Sequence, residues 1–202
     1  MIPDKGVRLI TLDAYHYPQS QAERYTAESW NRIDEAQLLW LAEVALNSPI
    51  RDCVYVLSSH APLYGRETFR NYDEVKKIVA AFNRREKITV CGKEIDYSKA
   101  TGKIPLSVSG HTHVASWCSF REANHICINT SAARLAYYPT LPEVKAEDFA
   151  TEMPVRFEGT VAEAMIDVVT LKRDGSVIRR NFGPVSDQIF VPTESGYSLL
   201  HG

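Results

Sequence analysis

Cys53-Val54-Tyr55-Val56-Leu57 is a short, nearly continuous run of β-branched, aromatic and small apolar residues. Arg51-Asp52 precedes it and Ser58-Ser59-His60-Ala61-Pro62 ends it. Without polar alternation, and too short for a buried helix, the run reads as a strand covered on both faces. His60 then stands at the C-terminal end of a central strand. In open α/β sheets, that edge is where ligands bind.

Working outward, a helix lies on either side. Asp34, with Gln37 three residues on, resembles a capping box, and Leu38, Leu39, Leu41, Ala42, Ala45 and Leu46 form a broad apolar stripe. Asn47-Ser48-Pro49 stops that helix. Asn71 with Glu74 is a second cap signal, followed by a stripe of Val75, Ile78, Val79 and Phe82. Upstream, Val7 to Leu12 reads as a strand with no edge-protecting feature, running into a turn-rich stretch up to about Arg32.

Downstream, Arg84 to Lys103 is polar, with a small hairpin about Cys91-Gly92-Lys93. Leu106-Ser107-Val108 is strand-like, and Trp117–Arg121 and His125–Asn129 form a hairpin around Glu122-Ala123-Asn124. Tyr137 to Gly159 is rich in proline and acid and reads as loop. Met165–Lys172 and Val177–Phe182 flank Asp174-Gly175, a strong hairpin signal. The expected fold is mixed α/β, a layered structure with helices on one face of a sheet. One domain has its core at about residues 7–183, and the tail 184–202 is expected to be irregular.

Composition narrows the function classes. With 202 residues, 45% hydrophobic and 24% charged, the chain has the size of one soluble domain. A net charge of −2 offers no electrostatic case for nucleic acid or an anionic membrane. No run approaches the ~18 apolar residues of a membrane span. The start lacks an apolar h-region, so the chain as written is expected in the cytoplasm, with secretion open if residues precede Met1. Cys53, Cys91, Cys118 and Cys127 form no Cys-x-x-Cys pair, and three of them read as small buried hydrophobes.

The chemistry concentrates in Ser109-Gly110-His111-Thr112-His113. If the backbone is still extended there, His111 and His113 face one pocket. Gly110 removes a Cβ where the chain must turn or approach a ligand. Converging imidazoles suit zinc, iron, copper or nickel. Alone, the pair fits other metal proteins too, although the helices argue against an all-β barrel.

Three features stand in order: Asp34-Glu35-Ala36-Gln37-Leu38-Leu39-Trp40-Leu41, then Ser59-His60-Ala61-Pro62, then Gly110-His111-Thr112-His113. Together they resemble the C-terminal half of the calcineurin-like metallophosphoesterases. Leu12-Asp13, Ile128-Asn129-Thr130-Ser131, Gly183-Pro184 and Ser186-Asp187 extend the resemblance over nearly the whole chain. It implies the corresponding part of a four-layer α/β/β/α sandwich. It further implies that His60 and His111 are ligands of one divalent metal ion and His113 of a neighbouring one, of manganese, iron or zinc type. The implied activity is two-metal hydrolysis of a phosphomonoester or phosphodiester substrate. Imidazoles bind metal when neutral, so affinity is expected to fade towards pH ~6.5.

The chain also departs from that family. Its Asp-x-His, Gly-Asp and Gly-Asn-His motifs, which complete the site from the N-terminal half, do not occur here. Asp13-Ala14-Tyr15-His16 has the wrong spacing to replace them. The resemblance therefore implies a partial domain, with the rest supplied upstream or by a second chain. Lacking one sheet, this half is expected to expose the apolar face that would pack against it. The alternative is a non-catalytic binding or regulatory remnant holding a single metal. No catalytic residue is assigned. Arg134, Tyr137 and Tyr138 are weaker candidates for substrate contact, and His16 and His125 read as structural or solvated. Ser58 and Ser59 beside His60 lack the Gly-x-Ser-x-Gly elbow of a serine hydrolase.

Overall fold

The apolar run at residues 53–57 lies in β2 (Val54–Ser59), which sits between two parallel neighbours, β1 (Val7–Leu12) and β5 (Lys103–Ser109). The structure, a computed structural model, describes residues 6–14, 32–47, 51–63, 71–111, 115–130, 149–152, 165–183, 185–194 and 196–200. Between β2 and β5 come α2 (Tyr72–Arg84) and a small hairpin, β3 (Lys87–Val90) and β4 (Lys93–Asp96). Then follow β6 (Ala115–Phe120), β7 (His125–Asn129) and β8 (Phe149–Glu152). The sheet runs β1-β2-β5-β7-β6-β8. The strands β9 (Ile166–Leu171), β10 (Val177–Phe182), β11 (Gln188–Thr193) and β12 (Gly196–Leu200) form a second, antiparallel sheet. The fold is mixed α/β.

The helix expected from Asp34 is α1 (Glu35–Trp40), which widens into a π-helical stretch over Leu41–Ala45. Asp34 Oδ1 accepts from the Gln37 amide at 2.7 Å, as a capping box requires. Gln37, however, does not reach back to the cap. Its side chain brackets Asp13, accepting from the backbone N–H at 2.7 Å and donating to the carbonyl at 2.9 Å. Gln37 thereby joins the first turn of the helix to the end of β1. Asn71 is no side-chain cap either: it is left-handed (φ 71°), and its Nδ2 donates to the Ile33 carbonyl at 2.7 Å.

Alternation along the strands assigns each face of the large sheet. Ile10, Leu12, Tyr55, Leu57, Cys118 and Cys127 share one core with Leu38, Leu41, Ala45, Val75, Ile78 and Phe82 of the helices. Leu106, Ile126 and Ile128, with Val56, Val108 and Trp117 beside them, pack instead with Val177, Phe190 and Tyr197 of the second sheet. Ile104 and Leu106 have the same parity yet belong to opposite cores. A register shift between β2 and β5 explains this: Val54 pairs with Lys103 but Val56 with Leu106, so one extra residue turns the strand over. Asn83 satisfies the bulge, accepting from the Ile104 amide at 2.8 Å and donating to its carbonyl at 2.9 Å.

Three expectations are corrected. The tail is not irregular, because β11 and β12 pair in register and put Phe190 and Tyr197 into the inter-sheet core. The face expected to lie bare is covered by that same sheet, and Leu9 of β1, 59% exposed, is left outside it. Within the stretch read as loop, Phe149–Glu152 pairs with β6. The remaining hairpins and the strand at Val7–Leu12 form as expected. Cys53, Cys118 and Cys127 are buried and unbridged, while Cys91 is exposed. Among the described residues, no helix is long and apolar enough to cross a membrane.

Candidate metal centre

β1, β2, β5 and β7 run parallel, so Asp13, His60, Gly110-His111 and Thr130 emerge together at one carboxyl edge. Backbone bonds tie these ends to one another. The Gly110 amide donates to the His60 carbonyl at 2.9 Å, and the Thr130 amide donates to the Ser109 carbonyl at 2.8 Å. The buried Ser109 hydroxyl donates to Asn129 Oδ1 at 3.2 Å. Behind His60, the Ser59 hydroxyl donates to the Ala61 carbonyl at 2.5 Å, and the Tyr72 hydroxyl donates to the same oxygen at 3.2 Å. Ser59 is thereby engaged in shaping the turn.

On this frame two of the three expected ligands converge. His60 Nε2 and His111 Nδ1 are 3.1 Å apart, with ring centroids at 5.0 Å and planes at 72°. Neither ring is buried, so the pair opens to solvent. His113 lies outside the described residues, as do His16, Arg134, Tyr137 and Tyr138. Among the described residues, no group of three His, Cys, Asp or Glu side chains comes together in a way that could hold a metal ion.

The local backbone differs from the extended chain on which the His-x-His geometry depends. Strand β5 stops at Ser109, and His111 is left-handed (φ 71°). A non-glycine residue there costs roughly 1–2 kcal/mol, and such strain gathers at ligand sites. Gly110 is not demanded by crowding, since a Cβ there would meet only the His60 carbonyl oxygen, at 3.8 Å. It is the turn at His111, not strand alternation, that swings this imidazole across to His60.

A separation of 3.1 Å between ring nitrogens is what a hydrogen bond between two histidines has. It is also what two ligands of one cation have. With metal–nitrogen distances of about 2.0–2.1 Å, it corresponds to an angle near ~100° at the ion, between the tetrahedral and octahedral values. The donor set therefore fits a borderline divalent ion.

Other titratable clusters lie elsewhere. His125, the first residue of β7, is fully buried, with Nδ1 2.8 Å from the Ile104 carbonyl and Nε2 3.1 Å from Ser107 Oγ. Burial pushes its imidazole down to about 4, so it stays neutral. A groove of about 870 Å³ runs between α2 and the β6–β7 hairpin, lined by Lys76, Arg84, Phe120 and Arg121, and does not include the histidine pair.

The signal missed in the sequence is Asp167. Burial raises its carboxyl, but Arg179, Asn181 and Thr130 hydrogen-bond to it and bring it below the ordinary carboxylate value. Through Thr130 it fastens the second sheet to the carboxyl edge. A lone Asp in an alternating strand gives no sequence cue to that role. No protein-family model matches this chain, and a comparison with curated proteins finds no relative.

Proposed function

We propose that the chain carries part of the site of a metal-dependent phosphoesterase, with His60, His111 and His113 as ligands of divalent ions. The observation that supports this reading is the convergence of His60 and His111, 51 residues apart in sequence, at the carboxyl edge of a parallel sheet. The order of motifs adds to it, since the capped helix, the strand ending in His60 and the Gly-His-Thr-His stretch occur as in the calcineurin-like family. Bound divalent ions would supply Lewis acidity to a phosphate ester. The chain's own part is to hold two imidazoles side by side on a braced, strained turn, open to substrate.

The carboxylates that would complete a two-metal site have no counterpart in the family's motif positions here. The proposal therefore includes that these residues alone turn over poorly and need a further polypeptide. A second reading, a single-metal binding module without catalysis, draws on the 3.1 Å separation of the two ring nitrogens, which suits two ligands of one ion.

Calorimetric titration of the metal-free chain with Mn²⁺ or Zn²⁺ tests both. Wild type is expected to bind, and His60→Ala and His111→Ala to weaken binding at least about tenfold with unchanged circular dichroism. Equal metal uptake by all three proteins refutes the site. Hydrolysis of p-nitrophenyl phosphate and its diester separates the readings. Weak metal-dependent turnover that disappears in His111→Ala supports the phosphoesterase, and binding without turnover supports the module.

A further inference from the structure

A row of polar side chains lies directly beneath the edge that carries His60 and His111. Ser109, the last residue of β5, is the register partner of Asn129, the last of β7, and Asn129 is that of Ser116 in β6. Register partners share a face of the sheet. Ser58 of β2 pairs with Val108, so Ser59 is the next member of the row. All four are buried. Two residues deeper on the same face, Leu57, Cys127 and Cys118 belong to the core under the helices. The row thus occupies positions where strand alternation calls for apolar side chains.

Paired polar side chains in a core add little net stability over apolar ones of the same shape. What they add is direction, because a satisfied hydrogen bond fixes the rotamers of both partners. Both histidine turns are braced from this row. The Ser59 hydroxyl reaches across His60 to the Ala61 carbonyl, and the Ser109 hydroxyl donates to Asn129 Oδ1 at 3.2 Å. The backbone bonds from Thr130 to the Ser109 carbonyl and from the Gly110 amide to the His60 carbonyl use the two ends of one peptide group, Ser109–Gly110. Tilting that group would break both bonds. It is the link between the turn of His60 and the turn of His111.

We propose that Ser109 and Asn129 are positioning residues of the metal centre. Their side-chain bond locks the ends of β5 and β7 together and so holds the Ser109–Gly110 peptide in the plane that brings His111 Nδ1 to His60 Nε2. The consequence for metal binding rests on the reading of the histidine pair given above, whereas the geometry rests on the bonds themselves. Ser107 supplies the contrast. It lies on the same face two residues earlier, equally buried, and its hydroxyl is engaged by His125 and Cys127 rather than by the edge. A merely structural role would make Ser107 and Ser109 alike in their effect on the site.

Two measurements on the full chain test this: titration with Zn²⁺, and the through-space proton contact between the His60 and His111 rings in the metal-free protein. Ser109→Ala and Asn129→Leu are expected to weaken Zn²⁺ binding about tenfold or more and to abolish the ring contact. Ser109→Ala, the milder change, decides the matter if the leucine variant fails to fold. Ser109→Thr keeps the hydroxyl and is expected to retain both properties. Ser107→Ala is expected to lower the denaturation midpoint, because it leaves His125 without its donor, yet to leave both properties unchanged. The proposal is overturned if Ser109→Ala behaves as wild type, if Ser107→Ala disturbs the pair as much, or if the wild type lacks the ring contact. A wild type that shows the contact but binds no Zn²⁺ refutes the metal reading alone. The positioning role is then decided by whether the contact is lost in Ser109→Ala and kept in Ser107→Ala.

Discussion

His125 shows how one buried group dictates the protonation of its neighbours. Its Nδ1 faces the Ile104 carbonyl, so that nitrogen carries the proton and Nε2 must accept. The hydroxyl of Ser107, 3.1 Å from Nε2, supplies the donor. Cys127 Sγ lies 2.7 Å from the same hydroxyl oxygen, so the thiol hydrogen is directed to Ser107. Burial raises the Cys127 thiol well above its usual value, in keeping with a thiol that stays protonated. Charging His125 would break this chain. Its folded pKa, about 4, is below the unfolded value of ~6.5, so in that window the unfolded state binds more protons. Stability is therefore full above the unfolded value and falls as pH drops through the window, by about 3 kcal/mol in all. Urea unfolding at about pH 7 and about pH 4.5 checks this. His125→Gln, which cannot titrate, should be weaker at neutral pH but lose less on acidification.

At the scale of elements, docking depends on a few positions where side chains meet backbone. β12 seats on β6 through the Tyr197 amide, which donates to Ser119 Oγ at 2.9 Å. Gly196 makes this approach possible. At φ +119°, its added Cβ would lie 2.7 Å from Ser119 Oγ and 3.2 Å from Arg121 Cα. Gly196→Ala should therefore cost about 2 kcal/mol or more by combined strain and overpacking, read as a lower denaturation midpoint. α1 is anchored in the same way, with Asp34 capping it and Gln37 fixing it to β1. The capping signal was readable in the sequence, but the partner of Gln37, 24 residues away, was not. Likewise, Asn71 belongs to the residue class that caps helices, yet its amide is used for Ile33.

For the molecule as a whole, the two sheets meet in an apolar contact of Leu106, Ile126, Ile128, Val177 and Phe190, and within the second sheet β9 and β10 share a buried ion pair. Arg179 Nη2 donates to Asp167 Oδ2 at 2.8 Å with side-chain exposures of 0% and 5%, and Asn181 and Thr130 complete the carboxylate. Arg179 Nε finds no partner among the described residues, so the pair is imperfectly compensated. Asp167→Ala would strand a buried guanidinium and should cost about 3–5 kcal/mol in chemical denaturation, whereas Asp167→Leu with Arg179→Met should recover much of it. The single change should also loosen Thr130 and the carboxyl edge beside His111.

Periodicity and punctuation carried most of the secondary structure, because the central strand, the two helices and the hairpins are local patterns of side chain and turn. The His60 and Gly110-His111 positions at strand ends followed from the same local rules. What only the tertiary structure decided depends on distant partners. The residue 188–200 segment becomes a sheet because Phe190 and Tyr197 find the bare face of the larger one. Ile104 changes face because β5 takes in an extra residue against β2. His111 reaches His60 through a left-handed turn, braced by a bond from Gly110 to the His60 carbonyl, that no spacing of two histidines encodes. Local sequence determines which residues can form a strand or cap a helix. The choice of partner is a competition for burial and hydrogen bonds across the whole chain, and it is settled only when the chain folds.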